Sequence, residues 1–167
     1  MADINFDEKL ADSETVALIE LLFFAYRDFV SDPDAVLDQL NFGRAHHRVV
    51  HFVGRDPGMT VAQLLDILRI TKQSLSRVLK ELIDQGYVYQ LEGETDRRQR
   101  LLHLTPSGEN LHRRLMAPQV SRIRRAIAET TPDENSRMRD ILYHLISPEN
   151  RKGVLEWVDK PTEKASE

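Results

Sequence analysis

A mainly α-helical fold carrying one small β-hairpin follows from three features of this 167-residue chain. Apolar residues recur at i, i+3, i+4 spacing through much of it, the pattern of amphipathic helices. Two of these helices are separated by Arg69 and Ile70 alone, a link so short that they must cross steeply. After Gly86 the period shortens from helix to strand, and a polar stretch with three arginines divides two short apolar runs. Together these predict a helix-turn-helix followed by a two-stranded wing, with further helices on either side.

Each element has its own signal. Val16 to Val30 is apolar nearly all round, so its helix needs cover on more than one side, and in a chain this small a partner subunit supplies the second cover. Pro33 ends it, and Asp34 to Leu40 reads as a short helical turn. Arg44 to Val53 forms the next helix, closed by Gly54 and the turn Asp56-Pro57-Gly58. Thr60 and Gln63 have capping-box spacing ahead of the stripe Val61, Leu64, Leu65, Leu68. Thr71 is a good N-cap for the second helix of the motif, whose stripe is Leu75, Val78, Leu79, Leu82 and Ile83, and Gly86 is placed to end it. Tyr87 to Leu91 and Leu101 to Leu104 are the strands, with residues 93–100 as the wing tip.

Pro106 then opens a long arginine-rich helix reaching about Thr130. Thr131-Pro132-Asp133-Glu134 starts another, with the stripe Met138, Ile141, Leu142, Leu145. Beyond Ser147-Pro148 the chain is polar except for Val154 to Val158, an apolar patch expected to meet a partner subunit. The division that results is an N-terminal helix in 1–33, a winged helix-turn-helix domain in 34–105, C-terminal helices in 106–158, and a disordered tail in 159–167.

The polar face of the second motif helix carries the chemistry. Its candidates for the major groove are Thr71, Lys72, Gln73, Ser74, Ser76, Arg77 and Lys80. Glutamine pairs in bidentate fashion with adenine and arginine with guanine. From Arg69 to Lys80 four cations stand with no acid among them, in a chain of net charge −4. By itself this also describes a solvated helix face; the wing arginines Arg97, Arg98 and Arg100 favour DNA. Arginine on a thin projection suits a narrow minor groove. Asp96 is expected to hold a neighbouring guanidinium through a fork-shaped ion pair.

The segment Thr71 to Arg77, the wing's Asp96-Arg97-Arg98 and the following Leu102-x-Leu104-Thr105-x-x-Gly108 resemble the MarR family of bacterial transcription regulators. The likeness is strongest over residues 43–110. It implies that Arg98 enters the minor groove with Asp96 orienting it. It also implies a homodimer built from the terminal helices, a pseudo-palindromic operator, repression by default, and in many members a small-molecule pocket between the dimerisation and DNA-binding parts. The alternative reading of the residues is a winged helix used as a protein-interaction module, its arginines gripping an acidic partner.

Other chemistries find little support. No apolar run reaches membrane-spanning length and the first ten residues lack a signal-peptide pattern, so a cytoplasmic protein is expected. The absence of cysteine excludes disulfides, thiolate metal sites and cysteine-based peroxide sensing. Neither a nucleotide-binding glycine loop nor a G-x-S-x-G elbow is present, so no enzyme activity and no cofactor is expected. His47 and His51 have zinc-compatible i, i+4 spacing, but Arg48 stands where a metalloprotease needs glutamate. Two ligands fall short of the four zinc prefers, with His112 and Glu20 as unplaced candidates, and no metal is expected. Tyr26, Arg44, His47 and His51 could instead line a pocket for a small aromatic or anionic ligand. The preferred reading is plainer: histidines bonded to backbone or to the facing subunit.

Overall fold

The computed structural model describes residues 13–94 and 96–161, so the end of the expected disordered tail, 162–167, lies outside the described residues. Chain order is α1 (Ser13–Ser31), α2 (Asp34–Asp38), α3 (Arg44–Arg55), β1 (Met59–Thr60), α4 (Val61–Leu68), α5 (Lys72–Asp84), β2 (Val88–Glu92), β3 (Arg100–Leu104), α6 (Pro106–Ala128), α7 (Pro132–Leu145) and α8 (Arg151–Val158). Threonine hydroxyls start four of the helices. Thr60 accepts from the Gln63 amide at 3.2 Å while Gln63 returns a bond to the Thr60 N–H at 2.8 Å. Thr71, Thr105 and Thr131 accept in the same way from Ser74, Gly108 and Glu134. Such a cap is worth about 1 kcal/mol, enough to fix where a short helix begins.

The core gathers around α3. Its Val49, Val50 and Val53 are buried against Leu64 of α4, Leu75, Val78, Leu79 and Leu82 of α5, Val88 and Leu102 of the sheet, and Leu111 and Leu115 of α6. Every helix stripe read for α4 and α5 thus contributes to one apolar centre. Arg69, in left-handed conformation with φ 50°, makes the sharp reversal between those two helices.

Two expectations change around the core. The sheet has three antiparallel strands in the order β1-β3-β2, with Met59 opposite Leu102 and Val88 opposite Leu104. A two-residue strand is too short to show any alternation, and its pairing depends on Gly58, turned to φ 87°, donating to the Leu102 carbonyl at 2.8 Å. Gly54 does not close α3, which continues to Arg55. A Cβ at Gly54 would stand 2.7 Å from His112 Nδ1, so this glycine serves the close approach of α3 to α6.

At the other extreme, α1 has no buried residue. Leu18, Ile19, Leu21 and Phe23 are each more than 60% exposed. Polar contacts hold its C-terminal half: Tyr26 accepts from Arg48 at 3.4 Å, Gln119 Nε2 donates to the Phe29 carbonyl at 3.1 Å, and just past the helix Arg122 forks onto Asp32 at 2.6 and 2.7 Å. Met138, Ile141, Leu142 and Leu145 of α7 are exposed as well. The patch in α8 differs from expectation: Trp157 packs edge-on against Phe52 of the same chain, ring centroids 5.5 Å apart. An aromatic next to an incompletely covered α3 finds its apolar partner without leaving the protomer.

Candidate nucleic-acid interface

The candidate recognition face follows from how α5 is seated. Leu75, Val78, Leu79 and Leu82 turn one side inward, which leaves Thr71, Lys72, Gln73, Ser74, Ser76, Arg77 and Lys80 exposed on the other. A polar contact from α3 adds to this seat. His46 Nδ1 accepts the Gly43 N–H at 3.1 Å, so Nε2 carries the proton and donates to Glu81 of α5 at 2.6 Å. Stacking on Phe42 at 4.4 Å holds the ring in place. His46 was not singled out from the sequence; its only signal there was helical position beside a capping glycine.

The cations divide into two groups. Among the described residues, the side chains of Lys72, Arg77, Arg97 and Arg98 have no ion-pair partner, whereas Lys80 pairs with Asp84 and Arg100 with Glu92 at 3.0 Å. Both acids lay outside the stretches that read as purely basic: Asp84 is one helical turn on, and Glu92 faces Arg100 across the hairpin register. Arg69 departs from the basic face altogether and donates to Asn150 Oδ1 at 2.5 Å.

At the wing tip Asp96 does something other than grip a guanidinium. Its Oδ1 accepts the backbone N–H of Arg98 at 2.9 Å. Aspartate readily folds onto an amide two residues ahead, and that local bond requires no ordering of a long side chain. With Gln99 N–H donating to the Asp96 carbonyl at 3.0 Å and Gly93 N–H to the Gln99 carbonyl at 3.1 Å, it shapes the tight end of the wing. The Arg97 and Arg98 side chains are left exposed beyond it.

Tyr26, Arg44, His47 and His51 come together around a cavity of about 240 Å³ between α1, α3 and α6, closed by Phe29, Met116 and Gln119. Arg44 is already forked onto Asp34 at 2.8 and 3.2 Å. Burial, reinforced by His112 and His47, pushes the His51 pKa down to about 4. His47 and His112 are lowered as well, again mainly by burial. His51 Nδ1 lies 3.3 Å from His112 Nε2, a distance that one neutral donor and one neutral acceptor satisfy. Among the described residues no three or more of His, Cys, Asp and Glu are grouped to hold a metal ion. A second cavity of about 950 Å³ lies between α3, α4 and α8, bordered by Phe52, Arg55, Ile67, Arg69 and Trp157. It was not foreseen because α8 was not read as a helix.

Two helices on a tight turn, an exposed polar face on the second and an arginine-tipped hairpin define a winged helix-turn-helix protein. The MarR family model matches residues 40–99. The HTH-type transcriptional regulator PetP of Rhodobacter capsulatus is 46% identical over 143 residues, covering 86% of each chain. The chain belongs to the MarR family of transcriptional regulators. Its fold is similar to that of Streptococcus pneumoniae FabT in complex with DNA, with TM-score 0.64, 22% identity, and 78% of this chain and 94% of that one covered. It is likewise similar to a cysteine-to-serine mutant of Escherichia coli MarR complexed with operator DNA, with TM-score 0.62, 20% identity, and 80% and 96% covered.

Proposed function

We propose that the protein represses transcription by binding duplex DNA as a homodimer, with α5 in the major groove and the wing tip in the adjacent minor groove. One observation carries this reading: Lys72, Arg77, Arg97 and Arg98 are exposed and free of ion pairs among the described residues of a chain whose net charge is −4. Gln73 and Arg77 supply the bidentate groups that read adenine and guanine, and Arg98 the cation for a narrow minor groove. The exposed apolar faces of α1 and α7 support the dimer, because monomers rarely expose such patches beyond a few hundred Å². No helix among the described residues is long and apolar enough to cross a membrane, which is consistent with a regulator acting in the cytoplasm.

The cavity around Tyr26, Arg44, His47 and His51 is the proposed effector site. With Arg44 committed to Asp34 and the histidines held neutral, an aromatic occupant suits it better than an anion. The experiment that tests the function is a titration of random and selected duplexes at several salt concentrations. Affinity should fall linearly in log–log form, with a slope of about −0.9 per phosphate contacted. Salt-dependent capture of acidic protein without binding to duplex would support the interaction-module alternative instead.

A further inference from the structure

α8 is clamped to three parts of the molecule. At its start, Arg151 donates to the carbonyls of His144 and Ile146 at 2.8 and 3.0 Å, closing the C-terminal end of α7 with a side chain from the next helix. At its far end, Asp159 takes Arg139 of α7 at 2.9 Å, and Lys160 pairs with Asp56 at 2.9 Å beyond α3. In between, Trp157 rests on Phe52. A cavity of about 950 Å³ beneath α8 leaves the helix only partly packed on the rest of the protomer, so the contacts at its ends add to the hold of Trp157.

One of those end contacts reaches the DNA-reading motif. Asn150, immediately before α8, accepts from Arg69. Arg69 is the left-handed residue between α4 and α5, a conformation that ordinarily favours glycine or asparagine. Either of those would make the turn, but neither is long enough to span to Asn150. Arginine here exchanges backbone ease for a tether.

We propose that α8 is a strap setting the position of the α4–α5 turn, and that Asn150 is the positioning residue through which it acts. The line of contacts runs from α7 through the Arg151 cap to Asn150, then Arg69, then the N-terminus of α5. The exposed apolar face of α7 is thereby linked mechanically to the residues that meet the major groove. This inference rests on α5 being the helix that reads DNA.

The test compares Asn150→Leu, which removes the acceptor at similar size, with Asn150→Asp, which keeps the oxygen and adds charge opposite Arg69. Amide hydrogen exchange over residues 69–77 is read alongside affinity for a duplex selected by the unaltered protein. Asn150→Leu should speed exchange in the turn roughly tenfold and weaken selected-duplex binding several-fold, while peptides of α8 stay protected. Asn150→Asp should restore both. Should the leucine variant loosen α8 itself, Arg69→Met removes the tether from the other side, and its turn amides should exchange faster in the same way. Unaltered protection of residues 69–77 in both Asn150→Leu and Arg69→Met would overturn the strap. If the unaltered protein binds no duplex, the DNA reading fails by itself, and the exchange comparison still decides the strap.

Discussion

Single side chains separate the cations that can meet DNA freely from those already engaged. Arg77 has no ion pair among the described residues, and Arg77→Ala should cost roughly 1–3 kcal/mol while relaxing preference at one base pair per half-site. Competition titrations with single-base operator variants check this; unchanged selectivity would show that the helix register is wrong. Lys80 shares its charge with Asp84, and exposed pairs of this kind are weak and screened by salt. Lys80→Ala should therefore lower affinity for all sequences about equally and flatten the salt slope. Asp96→Ala is the sharper case. Simple electrostatics predicts tighter binding when an acid near phosphates is removed. The bond from Arg98 N–H to Asp96 predicts the opposite, because the tip loses the turn that aims the wing arginines. Tighter binding by Asp96→Ala would refute the shaping role.

Much at this scale was legible in the sequence, and what was missed has a physical cause. The exposure of the candidate major-groove residues follows from helical periodicity, since burying one stripe dictates the opposite face. The role of Asp96 does not, because aspartate near arginine offers both a side-chain fork and an amide two residues on. Periodicity is blind to that choice. The ion pairs of Lys80 and Arg100 depend on a helical turn and a strand register that a scan for uninterrupted basic residues overlooks.

Among the elements, α3 departs from expectation through tertiary contact. Gly54 reads as a helix terminator locally, yet α6 lies so close that any side chain would meet His112. Gly108 makes the point more strongly: a Cβ there would lie 2.0 Å from the Tyr87 carbonyl oxygen, which is backbone and cannot swing away. Gly108→Ala should destabilise the fold by roughly 1–3 kcal/mol in denaturant unfolding, with near-normal stability counting against this packing. β1 and α8 escaped the sequence reading because two residues show no alternation and one short helix little periodicity.

The contact of α3 with α6 also carries a pH dependence. His47, His51 and His112 all have depressed pKa values, so in the interval below the ordinary histidine range the unfolded chain binds more protons than the folded one. Stability is thus fully present above about pH 6.5 and is lost as pH falls toward the His51 value of about 4. Melting temperature should drop across that window, and His51→Gln should lessen the drop. A flat profile between these limits would contradict neutral burial of the cluster.

For the whole molecule, the uncovered faces of α1 and α7 are what a lone protomer leaves unresolved. In the proposed dimer, twofold pairing would bury these faces and set two α5 helices on one side of the assembly. The apolar stripes of α1 and α7 were legible in the sequence, whereas how the faces pair depends on shape that one sequence does not encode in any periodicity. A soluble monomer in light scattering of dilute protein would count against the pairing.

Footprinting of the purified protein on a duplex it has selected tests the central claim most directly. Two protected half-sites should appear in inverted orientation, centred about one helical turn apart or a multiple of it, with further protection in the flanking minor grooves where the wings reach. Protection of a single isolated half-site, or of no site at all, would contradict a dimer reading DNA through α5 and its wing.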